Sequence, residues 1–273
     1  MKEVSVRGSL GLLRSLAVLL VLGAATPALG DAGAAATHPL WDRCRGKWPP
    51  DPPGLGKRVA LTFDDGPSAK LTPRVLTILR RHKVPAAFFL VGERVRGRVA
   101  RRLVAEIAAD PLFVIGNHSF THPRLDGMEL AAATAEIDRA GKVIADAAGA
   151  PTRWFRFPYS RSTCATADLV RARGYRIAGW HVDSADWCYA AGGGRCRPEL
   201  WRDVPDELRD DMVGLIRQRV RASDGGIVLL HDIHWRTVDQ IERIITTLKE
   251  DGYHFVRLDD AAAFPLLNRA AFP

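Results

Sequence analysis

Two neighbouring carboxylates and a pair of histidines are the residues of this chain whose types and spacing could do chemistry. Asp64 and Asp65 close a run of apolar residues, and His118 and His122, four positions apart, follow later in the chain. One carboxylate and two imidazoles suit a divalent metal, and three protein ligands leave positions open for water and substrate. That ligand number is typical of a catalytic site and not of a structural one. The second carboxylate would then be free to act as a base.

Three further polar segments could complete such a site. They are residues 156–159 (RFPY), residues 183–187 (DSADW) and residues 229–232 (LLHD). Arg156 could pair with Asp64 and keep that carboxylate ionised and oriented, and the Tyr159 N–H could donate to a developing oxyanion. His231 fits a general acid near neutral pH. Each segment alone also has a structural interpretation, such as a helix cap or a rim ion pair, so the hypothesis depends on their coming together.

The elements that must position these segments alternate between short strands and helices. Apolar runs predict seven strands, at Arg58–Phe63, Ala86–Leu90, Leu112–Ile115, Phe155–Phe157, Arg176–Val182, Gly226–His231 and Tyr253–Val256. Helical spacing predicts helices at Thr72–His82, Arg98–Asp110, Glu129–Ala148, Cys164–Arg173, Met212–Ala222 and Val238–Asp251. Short strands separated by helices favour parallel βαβ units. We therefore predict an α/β fold of the (β/α) barrel type, with an open doubly wound sheet as the alternative.

Every candidate segment falls at the C-terminal end of a predicted strand. In a (β/α) barrel those ends line a single face, where active sites lie. We therefore expect the separate segments to converge in space. No glycine-rich phosphate-binding motif follows any strand, which argues against a nucleotide-binding version of the fold.

Composition and charge set the broad class of the protein. The chain has 273 residues, of which 47% are hydrophobic, enough for one substantial α/β core. Its formal net charge is +8. The basic residues are spread along the predicted helices without interleaved aromatic residues, so we expect no nucleic-acid partner. We expect the protein to act as a monomer.

The N-terminal segment has the pattern of a secretory signal. Residues 1–30 combine a basic start, an almost wholly apolar run from Leu16 to Ala25, and small residues at Ala28 and Gly30. That run is shorter than the roughly 20 residues that span a bilayer, so a stable membrane anchor is not expected. We therefore predict a signal peptide over residues 1–30, a linker over residues 31–56, one catalytic domain over residues 57–273, and a periplasmic or secreted location.

Four cysteines would remain after export, namely Cys44, Cys164, Cys188 and Cys196. An even number in an oxidising compartment permits two disulfides, with three possible connectivities. Cys188 and Cys196 flank a glycine-rich loop, so we pair them with each other, and Cys44 with Cys164 by default. The spacings lack a CxxC pair, which argues against a structural zinc finger.

Taken together and in this order, the segments TFDDGP, HSFTHP, RFPY, DSADW and LLHD resemble the polysaccharide deacetylase family (the NodB-like domain, carbohydrate esterase family 4). The resemblance covers about residues 57–260. It implies a distorted (β/α) barrel, often with seven strands, and a metal-dependent hydrolase that releases acetate from an N-acetylated glycan such as peptidoglycan, chitin oligomers or an exopolysaccharide. An O-acetyl esterase acting on xylan is a close variant, and a glycan-binding pseudoenzyme is an alternative of a different class.

The resemblance also implies the catalytic roles. The metal, usually zinc, would be bound by Asp65, His118 and His122. Asp64 would be the general base that takes a proton from the attacking water, and Arg156 would position it. His231 would protonate the leaving amine, with Asp186 tuning its proton affinity.

Three residues would contact the substrate, according to the same resemblance. The Tyr159 N–H would help to stabilise the oxyanion, and Trp187 and Leu229 would shape the pocket around the acetyl methyl group. The stretch from Cys188 to about Glu207 is long and looks like an insertion with its own disulfide. It could reshape the substrate groove.

Overall fold

A computed structural model describes Cys44 and residues 56–268 of the chain. The predicted signal peptide and nearly all of the predicted linker therefore lie outside the described residues. No helix within the described ranges is long and apolar enough to cross a membrane.

Eight strands and seven α-helices make up the described part of the chain. The strands are β1 (Arg58–Asp64), β2 (Ala86–Leu90), β3 (Phe113–Asn117), β4 (Trp154–Phe155), β5 (Arg176–Ile177), β6 (Val182–Asp183), β7 (Gly225–His231) and β8 (His254–Phe255). The helices are α1 (Thr72–His82), α2 (Gly97–Ala109), α3 (Leu130–Ala148), α4 (Cys164–Ala172), α5 (Asp186–Ala191), α6 (Met212–Ala222) and α7 (Trp235–Glu250). The predicted α1, β2 and α6 have these bounds, and the other predicted boundaries differ by a few residues.

The strands form one parallel sheet in the order β5-β4-β3-β2-β1-β7-β6. From β1 through β5, then to β6 and β7 and back to β1, this order follows the chain, as it does in a (β/α) barrel. β8 pairs with the first two residues of β1, Arg58 and Val59, whereas β2 pairs with β1 from Leu61 onward. The predicted distorted barrel is confirmed, and the open doubly wound alternative is wrong because its strand order would reverse direction.

The circle of strands has one break, between β5 and β6. The sequence predicts a single strand over Arg176–Val182, and this prediction is wrong. Residues 176–177 pair with β4, whereas residues 182–183 pair with β7. Residues 178–181 lie between these two pairs and cross from one edge of the sheet to the other. We call this four-residue segment the seam. An apolar run shows that a segment is buried, but it does not show that its pairing partner changes midway.

Alternating side chains of the strands pack against two different layers. One set, including Val59, Leu61 and Phe63, packs against the helices. The other set, including Ala60, Ala87 and Phe89, packs inside the barrel with C-terminal residues from Leu258 to Leu267. The inner layer closes one end of the barrel with apolar side chains and leaves the opposite end, where the strands finish, to polar residues.

Both predicted disulfides are confirmed. Cys44 is bonded to Cys164 at the start of α4, and Cys188 in α5 is bonded to Cys196. The second bond fastens the insertion to α5, a helix that is not among the predicted elements. No free cysteine occurs among the described residues.

Candidate active site

The two neighbouring aspartates lie where β1 ends. Asp64 is the last residue of the strand, and Asp65 has a left-handed backbone with φ of 72°. Successive side chains of a strand point to opposite faces, but this turn at Asp65 brings both carboxylates to one side. Nε2 of His118 consequently lies 3.7 Å from Oδ2 of Asp64 and 3.5 Å from Oδ1 of Asp65. The change of direction therefore occurs at Asp65 itself, one residue before Gly66 and Pro67.

The two histidines come from the loop after β3. Their spacing suggests one side of a helical turn, and this expectation is wrong, since residues 118–122 form no helix. Ser119 and His122 both have left-handed backbones, with φ of 64° and 61°. Asn117 accepts a hydrogen bond from the Ser119 N–H at 2.9 Å, and Ser119 Oγ accepts one from the His122 N–H at 3.1 Å. Short polar side chains thus fold the loop back so that both imidazoles face Asp65.

A buried glutamate on α3 holds the middle of this loop. Oε2 of Glu136 accepts hydrogen bonds from the backbone N–H groups of Phe120 at 3.0 Å and Thr121 at 2.7 Å. Its Oε1 accepts one from the Thr121 hydroxyl at 2.9 Å. Glu136 is not among the predicted site residues, although a charged side chain on the apolar face of a predicted helix, next to Ile137, is a signal that it is held by buried polar partners.

Asp65, His118 and His122 form a group that fits a metal ion. Their ligand atoms all lie within 4.8 Å of one another. Oδ1 of Asp65 is buried and accepts no hydrogen bond, although Nε2 of His122 lies 3.1 Å away. A buried carboxylate oxygen without a hydrogen bond costs free energy unless a cation satisfies it. A carboxylate with two imidazoles is a donor set that zinc and similar ions accept.

The protonation of His118 also suits a metal ligand. Its Nδ1 lies 2.7 Å from the Arg156 carbonyl oxygen, which can only accept, so Nδ1 carries the proton. Burial lowers the pKa of His118 to about 3, so the ring is neutral at neutral pH. The lone pair of Nε2 therefore points at Asp65, in the arrangement by which a hydrogen bond behind a histidine orients it toward a metal.

Arg156 is fully buried between Asp64 and the seam. Its Nη1 donates to Oδ1 of Asp64 and to the Thr62 hydroxyl, both at 2.7 Å. Its Nε and Nη2 donate to the carbonyl oxygens of Ala178 at 3.1 Å and Gly179 at 2.8 Å. Burial raises the pKa of Asp64, and the charge of Arg156 opposes that rise. Asp64 is thus a carboxylate with increased proton affinity and a fixed orientation, as a general base requires.

His231 and Asp186 form the second pair of the site. Nδ1 of His231 lies 2.7 Å from Oδ1 of Asp186, and Oδ2 of Asp186 accepts hydrogen bonds from the His231 N–H at 2.7 Å and the Thr237 hydroxyl at 2.8 Å. Burial lowers the pKa of His231, but Asp186 and, more weakly, Asp64 and Asp65 outweigh burial and raise that pKa to about 10. The imidazole is therefore protonated at neutral pH and can give up a proton.

The three remaining predicted residues are Tyr159, Leu229 and Trp187, which neighbour His122, His231 and Asp186 respectively. Tyr159 has a left-handed backbone, is 61% exposed, and its ring centre lies 4.6 Å from that of His122. Leu229 is buried in β7, two residues before His231. Trp187 follows Asp186 in α5 and stacks on Trp201 of the insertion with ring centres 5.5 Å apart. The insertion thus packs against Trp187, which is predicted to line the pocket.

Asp232, the residue after His231, is a further buried carboxylate and is not among the predicted site residues. It accepts a hydrogen bond from the Thr72 hydroxyl at the start of α1, and its Oδ1 has no hydrogen-bond partner. A Cβ atom on Gly66 would lie 2.5 Å from its carboxylate oxygens. Glycine at position 66 therefore lets the turn that carries Asp65 approach Asp232 closely.

The chain resembles curated proteins that act on acetylated glycans. Residues 51–178 match the family described as polysaccharide deacetylase. The chain is 34% identical over 209 residues to a peptidoglycan-N-acetylglucosamine deacetylase of Listeria monocytogenes, a match that covers 75% of this chain and 38% of that protein. It is 35% identical over 179 residues to a chitooligosaccharide deacetylase of Bradyrhizobium, covering 64% of this chain and 71% of that protein.

The fold has close counterparts among solved structures. The chitin deacetylase of the fungal pathogen Colletotrichum lindemuthianum superposes with a TM-score of 0.63 at 26% sequence identity, over 77% of this chain and 88% of that chain. The described barrel, the family match and the relative from Bradyrhizobium agree with the resemblance carried by the five motifs. The chain belongs to the polysaccharide deacetylase family.

Proposed function

We propose that the protein is an exported, metal-dependent hydrolase that removes N-acetyl groups from an N-acetylated polysaccharide. The observation that carries this proposal is the placement, on one face of the barrel, of the group Asp65, His118 and His122 beside the buried base candidate Asp64. The names of the relatives support a glycan substrate. The paired cysteines and the signal pattern at the N-terminus support export.

Each residue has a role in this proposal. Asp65, His118 and His122 hold the divalent metal, for which zinc is our first choice. When bound, the metal would polarise the acetyl carbonyl and raise the acidity of water. Asp64, oriented by Arg156, accepts the proton of the attacking water. The Tyr159 N–H donates to the carbonyl oxygen as negative charge develops on it.

The leaving group explains why His231 has to be protonated. An amide nitrogen departs poorly as an anion, so it must receive a proton when its bond to carbon breaks. His231, kept in the imidazolium form by Asp186, supplies that proton and leaves a free amine on the sugar. Trp187 and Leu229 would bound the space for the acetyl methyl group, since both lie within two residues of the acid pair.

The first experiment measures acetate release by purified residues 31–273. The substrates are N-acetylglucosamine oligomers, peptidoglycan and acetylxylan, each with added zinc and with chelator. We expect release from at least one N-acetylated glycan that stops with chelator and returns with zinc. Release from acetylxylan alone would support the O-acetyl esterase alternative. Glycan binding with stoichiometric zinc and no release from any substrate would support a pseudoenzyme.

The charge of Asp186 should set the basic limb of the pH profile. In Asp186→Asn the imidazolium of His231 loses its ion pair, so its pKa falls and the acid is deprotonated at a lower pH. We expect the basic limb of kcat/KM to move down by about one to three pH units, so that activity at pH 8 falls more than activity at pH 6.

The matched control is Asp183→Asn. Asp183 is a neighbouring partly buried carboxylate that accepts from the Ala185 N–H at 3.0 Å and makes no hydrogen bond to His231. The basic limb of the kcat/KM profile of the Asp183→Asn variant should move little. Equal shifts in the two variants would show that general loss of negative charge, and not the pairing with His231, sets the limb. Thermal melts of both variants would exclude a folding defect.

A further inference from the structure

Five arginines form an exposed band beside the candidate site. Between residues 94 and 102 the chain carries Arg94, Arg96, Arg98, Arg101 and Arg102, all exposed, in the turn before α2 and in the first half of that helix. We call these five residues the arginine strip. The residues of this stretch that are buried in the core include the apolar neighbours Val95, Leu103 and Val104.

The strip begins at the loops that carry the metal-binding residues. The Val91 N–H donates to the Gly66 carbonyl at 2.9 Å, and the Gly92 and Glu93 N–H groups donate to the carbonyls of Ser119 at 3.0 Å and Phe120 at 2.8 Å. The guanidinium of Arg96 packs over the Phe120 ring with its carbon 5.3 Å from the ring centre. The peptide hydrogen bonds thus fix the start of the strip to the segments around Asp65 and between the two histidines.

From there the strip continues along an open groove between α2 and α3. The groove has a volume of about 700 Å³, and its lining includes Arg96, Arg98, Arg101, Arg102 and one carboxylate, Asp146. Four arginines against one aspartate leave the lining positively charged. Charges this close act together, because the spacing of residues on two helical turns is comparable with the screening length of about 8 Å at physiological salt.

The four arginines of the groove differ in their acidic partners. Arg96 lies 3.7 Å from Glu93, and Arg101 lies 4.0 Å from Asp146, whose carboxylate already pairs with Lys142 at 2.8 Å. Arg98 and Arg102, one helical turn apart on α2, make no ion pair among residues 56–268. They present forked donors on one side of the helix, which suits carboxylate or phosphate oxygens.

We infer that the arginine strip binds negatively charged groups of the glycan, so that the enzyme acts on an anionic N-acetylated polysaccharide in preference to a neutral one. This inference rests on the proposed function and names the substrate class of its site. A polymer whose acetylated sugar lies at the metal group would extend over the strip, because the strip starts at the same loops. The charge can come from carboxylates or from phosphodiesters, and both fit guanidinium groups.

The test compares two charge-reversal variants of the zinc-loaded protein. The strip variant is Arg98→Glu/Arg102→Glu. The control variant is Arg243→Glu/Lys249→Glu, which changes the net charge equally on the exposed face of α7. The probes are glycan strands bearing peptide carboxylates, a phosphodiester-linked N-acetylated glycan and a neutral N-acetylglucosamine hexamer. For each we measure kcat/KM for acetate release and the dissociation constant, at about 50 and about 500 mM salt.

We expect the ratio of kcat/KM for a charged glycan over the neutral hexamer to fall on the order of tenfold in the strip variant and to stay unchanged in the control. The wild-type ratio should also fall at high salt. The carboxylate and phosphodiester arms show which group is recognised. Equal ratios in both variants would overturn the inference, as would strip-dependent binding to anionic lipid vesicles with none to charged glycans.

Failure of the proposed function gives a different result from failure of this inference. If the wild-type protein releases acetate from none of the probes, the proposed activity is wrong, and the dissociation constants then decide the inference alone. Weaker binding of charged glycans by the strip variant than by the control variant would support it. Equal binding by the two variants would overturn it.

Discussion

Replacement of Asp64 by asparagine is expected to lower kcat for acetate release by about a thousandfold while bound zinc stays at the wild-type level. General base catalysis contributes roughly 10²- to 10⁴-fold, and an amide cannot accept the proton. Asp64 lies beside the metal group without belonging to it, since its Oδ1 accepts from Arg156 at 2.7 Å and its Oδ2 lies 3.7 Å from Nε2 of His118. Initial rates and metal content per chain, measured on the same preparation, test the prediction.

Two further variants make this result specific. Asp65→Asn should lose zinc as well as activity, because it weakens a ligand of the group. Asp239→Asn removes an exposed carboxylate on α7 and should change neither quantity. Asparagine at position 64 can still accept the Arg156 hydrogen bond through its amide oxygen, but it leaves the buried guanidinium without its ion pair. The melting temperature should therefore fall, and the rates are compared at a temperature at which both proteins are folded. A rate above a tenth of wild type in Asp64→Asn would show that another group is the base.

The sequence predicts the order of the site residues but not the local geometry that brings them together. Strand ends at Asp64 and His231 follow from apolar runs, and a barrel places such ends on one face. The left-handed backbones at Asp65, Ser119 and His122 have no such signal, since non-glycine residues seldom adopt that conformation. Their cost is offset by tertiary contacts, such as those of Glu136, which lies far away in sequence.

The supporting residues were missed for the same physical reason. Helical and strand periodicities report which face of an element is buried, and they are silent about which polar groups meet there. Glu136 and Asp232 each lie in otherwise regular elements or at their ends, and only the folded structure shows that one holds the histidine loop and the other lies against Gly66. The break between β5 and β6 is of this kind as well, because the carbonyls of Ala178 and Gly179 within it accept hydrogen bonds from Arg156, which lies far away in sequence.

Arg156 should be among the most important single residues for stability, because it joins the Asp64 carboxylate to the seam. Its guanidinium satisfies Asp64, Thr62 and the carbonyls of Ala178 and Gly179, and none of its surface is exposed. In Arg156→Met the apolar chain fills a similar volume, but the Asp64 carboxylate is left buried without its partner. We expect a loss of about 3–5 kcal/mol in the free energy of unfolding, measured by denaturant titration.

Two control variants separate the contribution of the guanidinium hydrogen bonds to stability from the contribution of the positive charge. Arg156→Lys keeps a positive charge near Asp64 but cannot reach the seam carbonyls with a fork of donors, so its loss should be intermediate. Arg74→Met breaks an exposed pair with Asp239 at 3.3 Å and should cost less than about 1 kcal/mol. If Arg156→Met unfolded no more easily than Arg74→Met, the seam would be held by its apolar neighbours alone. If lysine matched arginine, the charge on Asp64 would account for the whole effect, and the seam carbonyls for none of it.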